Sequence, residues 1–169
     1  PEPERVKAAM SNLERIGALD FHRNLTSLGN VLLQLPLEVS IGKMCLYGAF
    51  FRCLDPVLSL AAVLTNRDPF MAPPHLKKEA NMIKDSWSPH HFRSDPLCVL
   101  NAFYKWTSLQ RASSSQANRF LANNMLSRAT MLQIQQVKQN LFQSLEKADV
   151  IQVIRSSSAF VPRYRRRVR

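Results

Sequence analysis

Asp55-Pro56-Val57-Leu58-Ser59-Leu60-Ala61-Ala62-Val63-Leu64 is the stretch that decides the fold. Asp is a favoured N-cap and Pro suits the first helical position, so the pair opens a helix. From Val57 onward the segment is apolar nearly all round, which puts it at the centre of a helical core. Such runs, Leu58–Leu64 among them, fall far short of the roughly 18 residues a membrane span needs. A helix over Val39 to Phe51 precedes this one. After it, Arg67-Asp68-Pro69-Phe70 to Pro73-Pro74 cannot be helical throughout, and Arg67-Asp68 is expected to form an ion pair or a cap.

Further along, Leu76 to Trp87 reads as a charged, exposed helix and Ser88 to Phe92 as a loop. Ser94-Asp95-Pro96 repeats the Asp-Pro device, with Asp95 as cap, and leads into Leu97, Leu100, Asn101, Tyr104, Trp106 and Leu109. Ser113–Ser115 interrupts, a helix follows from Gln116 to Asn123, and Thr130 or Met131 opens a last long one. Its buried stripe is Ile134, Val137, Leu141 and Leu145, with Gln133, Gln136, Asn140 and Gln143 facing elsewhere. Upstream, Val6, Met10, Leu13 and Ile16 mark an amphipathic helix opened by Pro3 and stopped at Gly17. Two short extended pieces around His22–Asn24 suggest a small hairpin. Thr26 or Ser27 then caps a helix carrying Leu28, Val31, Leu32 and Leu35, which Pro36 breaks. The fold class is mainly α with one small β wing.

Composition agrees with that class. The chain has 169 residues, 46% of them hydrophobic, enough for a real core and against wholesale disorder. Only 4 glycines argue against a βαβ nucleotide fold or an array of tight hairpins. Cys45, Cys53 and Cys98 are odd in number and lie in apolar runs, so they read as small buried hydrophobes in a reducing compartment; the expected localisation is intracellular, nuclear or cytoplasmic. The first five residues lack the apolar segment of a signal peptide.

Charge points to a partner class. Lys and Arg number 23 against 12 Asp and Glu, a formal net charge of +11. From Val150 on there are six Arg, including Arg163, Arg165, Arg166 and Arg167, and no acid. Between Arg111 and Leu145 no Asp or Glu occurs, while Arg111, Arg119, Arg128 and Lys138 appear among many Asn and Gln side chains. Polyanions are the partners this pattern suits. The candidate polyanion-binding residues, which the family resemblance described below would make RNA-binding, are therefore Arg111, Arg119, Arg128 and Lys138, with Arg163, Arg165, Arg166 and Arg167 in the tail. A solvated polar face remains the alternative for the first group; a localisation patch, a linker or a strand of another domain remain alternatives for the second.

Catalytic chemistry has little to stand on. Gly42-Lys43 is the one Gly-Lys pair, Met44 follows it, and no Gly lies five residues before it, so no phosphate-cradling loop is expected. There is no Asp-Glu pair for a metal box. His90-His91 with Asp95 and Cys98 lacks the spacing of four converging ligands, and no base is evident for a cysteine nucleophile. No catalytic residue, metal or cofactor is assigned. Trp87 and Tyr104 are open as stacking platforms, whereas Phe103 and Trp106 read as core.

One combination of motifs is specific. Leu25-Thr26-Ser27-Leu28-Gly29, Leu35-Pro36-Leu37, Ile41-Gly42-Lys43-Met44, Phe51-Arg52-Cys53-Leu54-Asp55, Leu60-Ala61-Ala62-Val63-Leu64 and Arg67-Asp68-Pro69-Phe70 follow in order, and then Ser94-Asp95, Leu97, Leu100-Asn101-Ala102-Phe103 and Trp106. Together they resemble the helicase-associated region of DEAH-box, RNA helicase A-like superfamily 2 helicases, from about Glu4 to Leu145. The resemblance implies that residues 1–36 are the C-terminal part of a winged helix, with its wing near Phe21–Leu25. Residues 37–149 would be a ratchet-like helical module, and 150–169 a basic link toward an OB-fold. It also implies a piece of a longer ATP-dependent RNA helicase, whose RecA-like domains would hold ATP and Mg and enclose single-stranded RNA with the OB-fold. The family usually has Ser-Asp-His where this chain has Ser94-Asp95-Pro96, so any contact of that His is lost here. Two functions follow as expectations: an accessory RNA-binding module that braces the strand during translocation, or a protein-interaction module that docks a G-patch-type activator or neighbouring domains.

Overall fold

A computed structural model describes residues 2–88 and 93–151. Among them the chain forms eight α-helices: α1 (Pro3–Ile16), α2 (Ser27–Leu33), α3 (Val39–Phe50), α4 (Leu54–Thr65), α5 (Lys77–Ser86), α6 (Asp95–Ala112), α7 (Ser114–Asn123) and α8 (Arg128–Lys147). A single 3-10 turn, Pro74–Leu76, leads into α5. Strand pairing among the described residues is confined to two isolated antiparallel bridges, Leu19 with Leu25 and Phe70 with Leu126. The expected wing is thus one bridge and a tight turn, not a two-stranded hairpin. The Asp20 carboxylate accepts from the Asn24 N–H at 2.8 Å, and Arg23 sits in the left-handed region at φ 63°. With three residues at the tip, the turn closes on itself before a ladder can extend.

The described residues divide into two compact units, one of residues 2–58 with 140–151 and the other of residues 59–88 with 93–139. In the first unit, α1 ends at Gly17, whose φ of 86° only glycine adopts without strain; its N–H and that of Ala18 both return to the Leu13 carbonyl. Thr26 Oγ1 donates to the Gly17 carbonyl at 2.7 Å and accepts from the Gly29 N–H at 3.0 Å, so one hydroxyl ends α1 and starts α2. Gly29 and Gly48 mark close approaches: a Cβ on Gly29 would lie 2.2 Å from the Ala18 carbonyl oxygen, and one on Gly48 would lie 2.7 Å from Val57 Cβ. Leu32, Leu35, Cys45, Leu46, Ala49, Leu54 and Leu58 are buried in this unit.

In the second unit the core gathers Val63, Val99, Phe103, Trp106, Leu121, Leu126, Met131 and Ile134, against which Phe70, Trp87, Tyr104 and Val137 pack. Phe103 and Trp106 are both 2% exposed, as helical spacing of aromatics indicated.

Several element starts differ from the expectation by a residue or two. α4 begins at Leu54, which puts Asp55 inside its first turn, where a carboxylate still favours the helix N-terminus. α6 begins at Asp95 itself, so Ser94 occupies the N-cap position and makes no side-chain cap bond, and the Asp95 carboxylate does not cap but is drawn to Lys84. α7 begins at Ser114, and α8 at Arg128, where Ser127 Oγ accepts from the Thr130 N–H. A Ser two or three residues upstream of the apolar run caps as well as the residue adjacent to it.

Candidate nucleic-acid interface

Of the acid-free stretch, Arg111 lies in the last turn of α6, Arg119 in the middle of α7 and Arg128 at the first position of α8. All three are exposed, and none takes part in an ion pair among the described residues. Lys138 behaves differently. It is half-buried, with its ammonium 5.9 Å from the centre of the Tyr104 ring, so Tyr104 serves a cation on its own fold. Gln133, Gln136 and Asn140 are exposed on α8, away from the buried Ile134, Leu141 and Leu145. Arg163, Arg165, Arg166, Arg167 and the His90-His91 pair lie outside the described residues.

Trp87 is not available for stacking. Its Nε1 donates to Asn124 Oδ1 at 2.9 Å, its carbonyl accepts from Asn101 Nδ2 at 3.0 Å, and its ring meets Phe120 edge-on with centroids 5.5 Å apart. A buried indole needs such a partner for its N–H. Asn124 lies 37 residues away along the chain, so no local pattern shows this role.

Geometry gives three further side chains their partner or setting. Asp68 pairs with Lys84 and not with Arg67: Lys84 Nζ donates to Asp68 Oδ2 at 2.6 Å and to Asp95 Oδ2 at 2.8 Å. The second Asp68 oxygen accepts from the Phe70 N–H at 2.9 Å, closing the turn before α5. Burial of Lys84 pulls its pKa down, but the hydrogen bonds and charges of the two carboxylates outweigh it and the net shift is upward. Lys43 is half-buried. Its ammonium donates to the Ile16 carbonyl at the end of α1, a cation satisfying a helix C-terminus. Cys53 is exposed, unlike Cys45 and Cys98, because it falls in the short turn between α3 and α4.

Sequence reading passed over the exposed aromatics Tyr47, Phe50 and Phe51, which are 50%, 70% and 77% exposed. A signal was present. Ser40, Lys43, Tyr47 and Phe51 recur at helical spacing, so the rings share a face with polar residues, opposite the Cys45–Ala49 side.

Residues 38–130, more than half of the chain, match the helicase-associated domain (HA2), ratchet-like. The chain belongs to this family, the helicase-associated region of DEAH-box RNA helicases. The HA2 chain is 37% identical over 150 residues to the ATP-dependent RNA helicase DHX29 of Mus musculus, covering 88% of this chain and 11% of that protein. It is 36% identical over 158 residues to the DExH-box ATP-dependent RNA helicase DExH3 of Arabidopsis thaliana, 94% of this chain and 13% of the relative. With the ATP-dependent DNA/RNA helicase DHX36 of Rattus norvegicus it shares 38% identity over 138 residues, 82% of this chain and 14% of the relative. The HA2 chain thus spans no more than about a seventh of the length of these curated relatives. Among its described residues no helix is long and apolar enough to cross a membrane, and no three His, Cys, Asp or Glu side chains cluster as metal ligands would.

Proposed function

We propose that this HA2 chain is an accessory module of an ATP-dependent DEAH-box RNA helicase and braces single-stranded RNA while RecA-like domains of the longer protein translocate along it. In this reading residues 1–36 belong to a winged helix, 37–149 to the ratchet-like module, and 150–169 lead toward an OB-fold. ATP and Mg belong to the RecA-like domains, and the whole works inside the cell, in nucleus or cytoplasm. The observation that carries the reading is the stretch from Arg111 to Leu145, which holds no acid and exposes Arg111, Arg119 and Arg128 among amide side chains. Bracing a strand without reading its sequence needs cations that reach phosphates and polar groups that tolerate any base. Both are present there without a competing carboxylate.

A second reading, docking of a G-patch-type activator or a neighbouring domain, draws on Val6, Phe21, Leu25 and Leu33, which stay 47–85% exposed within residues 1–36. The two differ in their response to salt, since phosphate contacts weaken as salt rises and an apolar interface does not. The test is fluorescence anisotropy of a labelled single-stranded RNA across a salt series, comparing the full chain with one ending at Ile154. Affinity that survives truncation and falls with salt supports an RNA surface on the helices. Affinity that disappears with the tail overturns it.

A further inference from the structure

The aromatic face at the end of α3 plays no part in the surface just described. Tyr47 and Phe51 stand one turn apart with ring centroids 6.3 Å from each other, and Phe50, three residues after Tyr47, falls on the same side of the helix. Core-forming residues of α3 point the other way: Cys45, Leu46, Gly48 and Ala49 are buried. Three adjacent rings left in water at a helix end form an apolar surface that the first unit does not cover.

Its borders are cationic. Lys43 is fixed one turn before Tyr47, its ammonium 5.7 Å from that ring and anchored on the Ile16 carbonyl. Arg52 follows Phe51 directly and is held at φ 59°, a left-handed conformation that glycine would adopt without strain. Arg52 is the C′ residue of the Schellman cap that ends α3, so the chain turns here and carries the cation just past the rings. The acid at the other end of α3, Glu38, is about three turns away, and Asp55 is already engaged within the fold. The turn itself is rigid: the Arg52 N–H bonds to the Ala49 carbonyl at 3.2 Å and the Cys53 N–H to the Gly48 carbonyl at 2.9 Å. Gly48 lets Val57 close against α3, so the rings are presented on a preorganised edge.

Flat rings bordered by the anchored Lys43 and the exposed Arg52, with the nearest acid of α3 about three turns off, complement nucleobases joined by phosphates. We propose that Tyr47, Phe50 and Phe51 stack on bases of single-stranded RNA while Lys43 and Arg52 hold the flanking phosphates. This second contact surface rests on the RNA-binding reading above and adds to it a base-stacking element separate from Arg111, Arg119 and Arg128. An apolar protein partner would gain little from the cations Lys43 and Arg52, which is why RNA is the favoured occupant.

The test uses the full chain, a fluorescein-labelled ten-nucleotide oligoadenylate and an abasic ribose-phosphate oligomer of the same length. Replacing two stacking rings in the double variant Phe50→Ala/Phe51→Ala is expected to weaken oligoadenylate binding about 30-fold. The slope of log affinity against log salt should not change, because no cation is lost, and binding of the abasic oligomer should be unaltered. Arg52→Ser should instead reduce the slope by about 0.7. Both rings are exposed, so the variant should keep its helical circular dichroism. If it does not fold, Phe51→Trp takes its place, with added fluorescence quenching on oligoadenylate relative to the parent chain as the expected result. Oligoadenylate affinity within twofold of the parent, or no added quenching, overturns the stacking surface while leaving the RNA reading intact, and transfers the patch to a protein partner. Failure of the parent chain to bind either oligomer at low salt overturns both.

Discussion

Three cysteines of one chain show how position within an element sets chemistry. Burial pushes the Cys45 thiol up to about 11, because a thiolate inside the first unit would lose its hydration. Cys98 is 2% exposed on the inner side of α6. Cys53 lies in the α3–α4 turn, in water. At pH 8 a thiol-specific reagent should therefore modify one cysteine rapidly in the native chain, and peptide mapping should place the label at Cys53; the other two should react only after denaturation. Early labelling of Cys45 would contradict the packing of α3. None of this is evident from residue type, since Cys45 and Cys53 both sit in apolar runs and differ only in whether the helix continues past them.

At the scale of elements, Lys84 has the widest reach. From α5 it joins the turn at Asp68 to the first residue of α6, and its side chain is 13% exposed against 46% for Asp68 and 80% for Asp95. The carboxylates are partly solvated, so the pairs contribute modestly despite their short distances. Lys84→Met, which keeps the stem, should cost about 1 kcal/mol and lower the Tm by about 3 °C, less in high salt. The pKa of Lys84 is raised in the folded state, so its contribution is fully present below the ordinary lysine value of about 10.4 and is lost as pH rises through the higher folded value. Urea unfolding of both proteins should show a constant difference from pH 7 to about pH 10 that closes above it. The charged pattern of Leu76–Trp87 marked an exposed helix correctly, but which acid each Lys would meet depends on where the Pro-rich turn returns. Thr26 is the counterpart in the first unit, where a cap read as local also holds the end of the preceding helix.

For the molecule as a whole, stability is concentrated in a few large side chains. Trp106, 2% exposed and in ring contact with Phe103 at 6.0 Å, anchors the core of the second unit. Trp106→Ala should cost about 3–5 kcal/mol, measured by urea unfolding, a large part of the roughly 5–15 kcal/mol typical of a folded protein. A formal charge of +11 makes salt dependence the first property to measure for any polyanion partner.

The order of the helices, their apolar faces, their mainly α class and membership of the helicase-associated family were legible in the sequence. These rest on information held within a few residues: periodicity of Leu, Val and Ile, the Asp-Pro pairs in the first turns of α4 and α6, and the stop at Gly17. What the tertiary structure alone decided is which polar group meets which. Trp87 with Asn124, Lys84 with Asp68 and Asp95, and Lys43 with the Ile16 carbonyl all depend on how separate helices pack. A helix forms from its neighbours in the chain, whereas a hydrogen bond across 37 residues forms only after the intervening chain has found its path.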